Sequence, residues 1–242
     1  AMTNLASIPL NGDWNLYYFQ EGSHNCSSPS DLEKLGLDSI EAQVPGNVEL
    51  DLVRAGRLSD PFFGCNIHLL RSYEGCEWWL VRAFTLPPSP SATRCDLVFE
   101  GLDLLADVWI NDRKVGHSEN MLVPQRFAVG EGLNWGGENR IAVRLGSALN
   151  HARRQQYTPQ EMSWEQRWEG LRLRKPPHVW GWDILPRAVS AGIWRSVRLE
   201  PVPADGFDWM YYWTRAANAQ TAQLGARFQV RTPGELEGLR LR

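Results

Sequence analysis

The chain has 242 residues, with 25 basic and 28 acidic side chains and a formal charge of −3. Hydrophobic residues at 43% and charged ones at 22% exclude long disorder, and no run approaches the roughly 18 uncharged apolar residues of a membrane helix. The near-neutral balance argues against a nucleic-acid-binding domain, which carries a basic stripe. Tryptophan is the outlier, at 12 against 6 tyrosines and 8 phenylalanines. Five of the twelve (Trp164, Trp168, Trp180, Trp182 and Trp194) are also close together in the chain.

Leu10–Tyr18 gives a turn and then alternation of Trp14, Leu16 and Tyr18, a half-buried strand. Residues 20–40 are polar and Ser-rich, a loop with a short helical turn around Asp31–Leu35. Val44-Pro45-Gly46-Asn47 is a turn. Asn47 then caps a short helix over Val48–Ala55, with Leu50 and Val53 facing inward and Gly56 as its stop. Trp78–Leu86 alternates as a strand until Pro87-Pro88-Ser89-Pro90 breaks it. Cys95–Phe99 and Ala106–Ile110 are further strands, and Asn111-Asp112-Arg113-Lys114 turns a hairpin back through Val115. Phe127–Val129, Arg140–Leu145 and Ile193–Glu200 complete an all-β, jelly-roll type of sandwich.

Residues 147–180 interrupt this rhythm with a long loop, which in a compact domain is usually functional. Trp164, Arg167, Trp168 and Leu171 recur there at helical spacing. Arg153-Arg154 and Arg172–Lys175 read as a solvated loop or docked surface, in preference to a polyanion site. After Glu200, Pro201–Asp205 is linker-like, and Phe207–Trp213 and Ala222–Val230 are two more strands. This divides the chain into a sandwich over 1–204 and a second β-domain begun over 205–242, too short to be complete.

Cys26, Cys65, Cys76 and Cys95 form no CxxC pair, so free, mostly buried thiols are expected. The five histidines show no ligand spacing, and neither a metal nor a cofactor is expected. Ala1-Met2-Thr3-Asn4 opens no signal peptide, so a cytoplasmic location is the expectation.

Several segments together resemble the start of family 2 glycoside hydrolases: Val44-Pro45-Gly46, Asp60-Pro61-Phe62-Phe63-Gly64, Trp78-Trp79 and Phe84. Phe99-Glu100-Gly101-Leu102-Asp103 followed by Ala106–Asn111 resembles a further segment of that family, and Asn120-Met121 its β-mannosidase branch. Arg174-Lys175, Trp180-Gly181-Trp182-Asp183 and Ala191-Gly192-Ile193-Trp194-Arg195 are similar to that branch as well. The likeness spans about residues 9–200.

The resemblance implies a galactose-binding-like jelly roll, followed in the family by an immunoglobulin-like sandwich and a catalytic barrel. A barrel needs roughly 250 residues, so the catalytic glutamates are not expected in this chain, and no acidic pair here is nominated for catalysis. What the chain is expected to contribute is a loop to the pocket for a terminal β-linked sugar, mannose in the branch it resembles. Asp183 and Trp182 are the first candidates for contact, with Trp180, Asp60 and Asn120 after them. A carboxylate accepts hydrogen bonds from adjacent hydroxyls, and an indole covers the apolar face of a sugar ring. An Asp at position 183 is also suited simply to cap a turn, and the tryptophans to pack beneath the loop. Where the branch continues Trp-Asp-Trp-Gly-Pro, this chain has Trp182-Asp183-Ile184-Leu185-Pro186, without the second indole and the glycine. The expected partners are a carbohydrate and the other domains of the same polypeptide, with no nucleic acid or membrane. A free-standing carbohydrate-binding module and a purely structural docking domain are the alternatives.

Overall fold

The computed structural model describes residues 6–88, 94–163, 168–203 and 205–232. Trp164, Arg167, Ser89, Pro90 and the tail after Thr232 lie outside the described residues. The strands are β1 (Ile8–Pro9), β2 (Gly12–Gln20), β3 (Ile40–Val44), β4 (Cys76–Thr85), β5 (Cys95–Phe99) and β6 (Leu105–Ile110). They continue as β7 (Arg113–Ser118), β8 (Gln125–Ala128), β9 (Glu138–Gly146), β10 (Val197–Pro201), β11 (Gly206–Ala217) and β12 (Ala222–Arg231). A six-stranded sheet in the order β3-β2-β4-β9-β6-β7 faces a four-stranded sheet in the order β1-β10-β5-β8, with antiparallel pairing throughout. The chain crosses repeatedly between the sheets, as in a jelly roll.

Period-two alternation sends Trp14 and Leu16 of β2, Trp78 and Leu80 of β4, and Ile141, Val143 and Leu145 of β9 into the space between the sheets. There they pack with Leu97 and Phe99 of β5 and Val197 and Leu199 of β10. Trp79 points to the opposite face, yet it is fully buried. Residues 20–37 fold over it, with Cys26 and with Leu32 of helix α1 (Pro29–Lys34), and Trp79 stacks on Trp109 at 5.2 Å. The apolar run 78–81 of β4 therefore lies in a strand covered on both faces. Ser28 caps α1 by accepting from the Asp31 amide.

Helix α2 (Val48–Arg54) is capped by Asn47, whose Oδ1 accepts from the Leu50 amide at 3.0 Å. The inward face differs in part from expectation: Val53 packs against the core as expected and Val48 and Leu52 are buried, while Leu50 faces solvent. Asp51 is buried instead and accepts from the Gln43 amide of β3 at 3.1 Å, tying the helix to the sheet edge. The hairpin turn between β6 and β7 places Asn111 and Asp112 at φ of 47° and 63°, the left-handed region that Asn and Asp tolerate.

Part of the region read as loop is ordered by a third helix, α3 (Ala148–Arg153), capped by Ser147. β3 likewise lies where the sequence suggested only loop and turn. Strand β10 begins at Val197, later than expected, because Ala191, Gly192 and Ile193 bond instead to Val48, Asp103 and Gly46. The four cysteines are free, with Cys65 exposed and the others buried. Among the described residues β11 and β12 pair with each other alone, and they expose Tyr211, Tyr212, Leu224 and both Trp209 and Trp213 in part.

Candidate functional site

Several of the sequence segments that carry the family likeness, around Gly46, Asp103, Met121, Lys175 and Ile193, are joined by hydrogen bonds. The Gly46 amide donates to the Ile193 carbonyl at 3.0 Å, and the Val48 amide donates to that of Ala191 at 3.0 Å. Asp103 and Gly192 exchange backbone hydrogen bonds at 2.9 and 3.1 Å. Gly192 sits at φ 157°, and a Cβ there would come within 2.5 Å of the Gly46 carbonyl oxygen, so only glycine fits. Gly101 serves the same end: a Cβ would lie 2.4 Å from the Trp194 indole nitrogen.

At the centre of this junction Lys175, wholly buried, donates to both carboxylate oxygens of Asp103 at 2.5 Å and to the Ser190 carbonyl at 2.7 Å. Burial raises the Asp103 pKa, with the Lys175 ammonium opposing it. The Ser190 hydroxyl donates to Glu49 at 2.8 Å, and burial pushes the Glu49 carboxyl up to about 7. Of the basic run read as solvated loop or docked surface, only Lys175 departs from that reading, because it is buried in the junction. Arg172 pairs with Glu161 at 2.6 Å, and Arg154 pairs with Glu21 at 2.9 Å.

From this junction projects an arm. The Ala188 amide donates to the Val179 carbonyl at 2.9 Å and closes its base. Trp182 and Leu185 exchange backbone bonds at 2.9 and 3.3 Å and close its tip, leaving Asp183 and Ile184 at the turn. Leu185 is not among the described residues with positive φ, so this turn needs no glycine at that position. Gly181, at φ 100°, ends the 3₁₀ turn Pro177–Trp180 and redirects the chain. Trp180 turns inward at 2% exposure, and Trp182 turns outward at 58%.

The arm gives the five candidates different standings. Asp183 is exposed and forms no side-chain hydrogen bond or ion pair among the described residues, so its carboxylate caps no turn and is available. Trp182 beside it offers an open indole face. Trp180 offers none: Gly170 lies so close that a Cβ would sit 2.8 Å from the indole, and the Arg187 guanidinium is 4.9 Å from the ring centre. Its position is that of a support beneath the arm, a correction to its reading as a contact. Asp60 accepts from the Phe62 amide at 2.9 Å and starts a turn that leaves Phe62 and Phe63 on the surface. Asn120 uses its Oδ1 on the Leu122 amide at 2.9 Å, and the next residue, Met121, donates to the Arg174 carbonyl at 3.2 Å. Asn120 thus shapes the loop beside Lys175. Met121, Asn47, His178 and Trp194 line a groove of about 330 Å³ at the foot of the arm.

Two residues absent from the sequence-based candidates form a buried ion pair at the base of the arm. Arg187 donates from Nε and Nη2 to the two oxygens of Glu74 at 2.8 and 2.6 Å, and both side chains are largely buried. Nothing in the local pattern around either residue marks them, since 113 positions separate the pair.

The two antiparallel sheets, with loops tied together by hydrogen bonds and an exposed arm bearing Trp182 and Asp183, make a jelly-roll domain. A family model described as glycosyl hydrolase 2 galactose-binding domain-like matches residues 20–195, and the chain belongs to that family. It is 32% identical over 203 residues to beta-mannosidase B of Emericella nidulans, an alignment covering 79% of this chain and 23% of that protein. It is 34% identical over 162 residues to beta-mannosidase B of Thermothelomyces thermophilus, covering 66% of this chain and 19% of that protein. The solved beta-D-mannosidase of Dictyoglomus thermophilum superposes with a TM-score of 0.78 at 25% identity, over 93% of this chain and 26% of that one. An exo-chitosanase of Amycolatopsis orientalis shares the fold at a TM-score of 0.63 and 18% identity, over 95% of this chain and 25% of that one. The chain thus spans about a quarter of the length of these relatives, their N-terminal part.

Proposed function

We propose that this chain is the N-terminal domain of an exo-acting, retaining β-glycosidase of the β-mannosidase kind, and that it completes a sugar pocket whose catalytic groups lie elsewhere in the polypeptide. The observation that carries this reading is the arm: a firmly seated base and a tip presenting Trp182 and an unpartnered Asp183 to solvent. In this role Asp183 accepts hydrogen bonds from two adjacent hydroxyls of the terminal sugar, and Trp182 covers the C–H face of the ring. Desolvating those hydroxyls makes their loss expensive, and the contact thereby selects the sugar. Retaining hydrolysis itself requires two carboxyl groups about 5–5.5 Å apart across the glycosidic bond, supplied by a barrel that this chain does not contain.

The β11–β12 hairpin fits the same organisation. Tyr211 and Tyr212 point to opposite faces and both are exposed, so each face of the hairpin needs cover. A lone two-stranded hairpin is marginal in water. As the opening strands of an immunoglobulin-like sandwich, the two would gain the partners they lack.

The test is Asp183→Ala in the intact protein, assayed on an aryl β-mannoside. Loss of charge-assisted hydrogen bonds to substrate lowers kcat/KM by about 10- to 100-fold. Unchanged kinetics would refute the pocket role. Micromolar binding of mannosides to the chain alone, measured by calorimetry, would instead make it a self-sufficient binding module.

A further inference from the structure

The position of the Asp183 tip has to be set by something other than regular secondary structure. The preceding segment is two short 3₁₀ turns, Trp168–Arg172 and Pro177–Trp180, and the arm pairs with no strand of either sheet. Among the described residues, Val179, Trp182, Leu185 and Ala188 form a backbone ladder within the arm itself. Upstream it is fixed at Lys175 by Asp103, and downstream the anchor is Arg187.

We propose that Arg187 and Glu74 form a positioning clamp that fixes the Asp183 tip in its working place. This inference rests on the pocket reading given above and adds to it the residues that aim the contact. In the register set by the Trp182–Leu185 and Val179–Ala188 bonds, Arg187 lies directly across the arm from Trp180. Its guanidinium stands against the Trp180 ring on one side and grips both oxygens of Glu74 in its plane. A bidentate fork fixes orientation as well as distance. Glu74 is itself held, because its carbonyl accepts from the Ser147 hydroxyl at 2.6 Å, the same hydroxyl that caps α3. Rotation of the arm about its base would break the fork, the ring contact or both. The clamp touches no sugar. Arg187 and Glu74 are positioning residues that act through Asp183.

The experiment is a double-mutant cycle in the intact protein with an aryl β-mannoside: wild type, Asp183→Ala, Arg187→Lys and the combination. Arg187→Lys keeps the charge and loses the planar fork. It should lower kcat/KM about ten-fold, mostly through KM, because small misplacement of a binding group is costly. In the Asp183→Ala background the same change should alter kcat/KM less than about two-fold, because the group it positions is gone. Additive effects, or an Arg187→Lys enzyme with wild-type kinetics, would overturn the clamp while leaving Asp183 in the pocket. An Asp183→Ala enzyme with wild-type kinetics would sink the pocket reading and the clamp together. Glu74→Met combined with Arg187→Met replaces the ion pair with an apolar one, which proteins often tolerate without loss of stability. That variant should fold yet show the same KM-weighted loss, and wild-type kinetics from it would also overturn the clamp.

Discussion

Lys175 and Arg187 lie in buried ion pairs, whereas Trp182 and Asp183, between them on the same loop, face water. The contrast separates two kinds of residue that a motif lists together. On the flanks, charges serve as directional anchors where no sheet or long helix fixes the backbone. At the tip, a charge without a protein partner is free to meet a ligand. Trp180 and Trp182 repeat the division across a single glycine: one indole is packed and the other open. Membership of a shared segment therefore does not tell which residues touch a sugar.

The comparison breaks most sharply at its most buried point. Lys175→Met removes the ammonium from Asp103 and leaves a carboxyl in a site that already raises its pKa. Breaking one side of a buried pair costs about 3–5 kcal/mol, so the urea midpoint should fall by a large part of the total stability. A change below about 1 kcal/mol, the scale of exposed pairs, would mean that the flank behaves like surface.

How much of this was legible in the sequence follows the range of the interactions. The strands were readable because alternation is local: Trp14, Leu16 and Tyr18, or Trp78 and Leu80, declare their faces within a few residues. The caps at Asn47 and the turn at Asn111-Asp112 were readable for the same reason. Leu50 misled because the α2 face is set by the sheet edge it meets, where Asp51 is drawn in by the Gln43 amide. The pairs that seat the arm were invisible. Asp103 and Lys175 are 72 positions apart, Glu74 and Arg187 are 113 apart, and a charge on a polar loop reads as solvated until its partner is placed. The tip was found through resemblance, yet only the fold showed that Trp180 and Trp182 part company at Gly181.

A second measurement sharpens the contrast through pH. Burial pushes Glu49 from 4.5 up to about 7, against the Ser190 hydrogen bond and the Lys175 charge and with Asp103 reinforcing it. Burial likewise pushes Asp51 from 3.8 to about 6, opposed by the Gln43 amide and Arg54. Between those ordinary and raised values the folded chain holds protons that the unfolded chain has released, so stability declines as pH rises through the window. Above about 7 the decline from Glu49 is complete. His117 acts in the same direction: burial opposes its charge, but hydrogen bonds to Glu119 and Asp107 raise its pKa, so that stability too is lost on going alkaline. Glu49→Gln isolates the junction. Unfolding midpoints at about pH 5 and about pH 8 should differ less in the variant than in the parent, by on the order of 1 kcal/mol after allowing for partial exposure. An equal difference in both would remove Glu49 from the buried network.

The smallest expected change in stability is at the tip, and there the comparison is most exposed to failure. Trp182 is 58% exposed and its neighbour Ile184 86%, so neither contributes much to the core. Trp182→Ala should shift unfolding by no more than about 0.5 kcal/mol, as surface substitutions generally do. In the intact protein the same variant should lose activity through KM, because the apolar face of the sugar would lose its cover while the reacting groups stay untouched. Stability and activity would then be uncoupled at position 182. If melting fell in step with activity, Trp182 would be packed against something in the full protein, and its indole would be a second support like Trp180. The sugar contact would then rest on Asp183 alone.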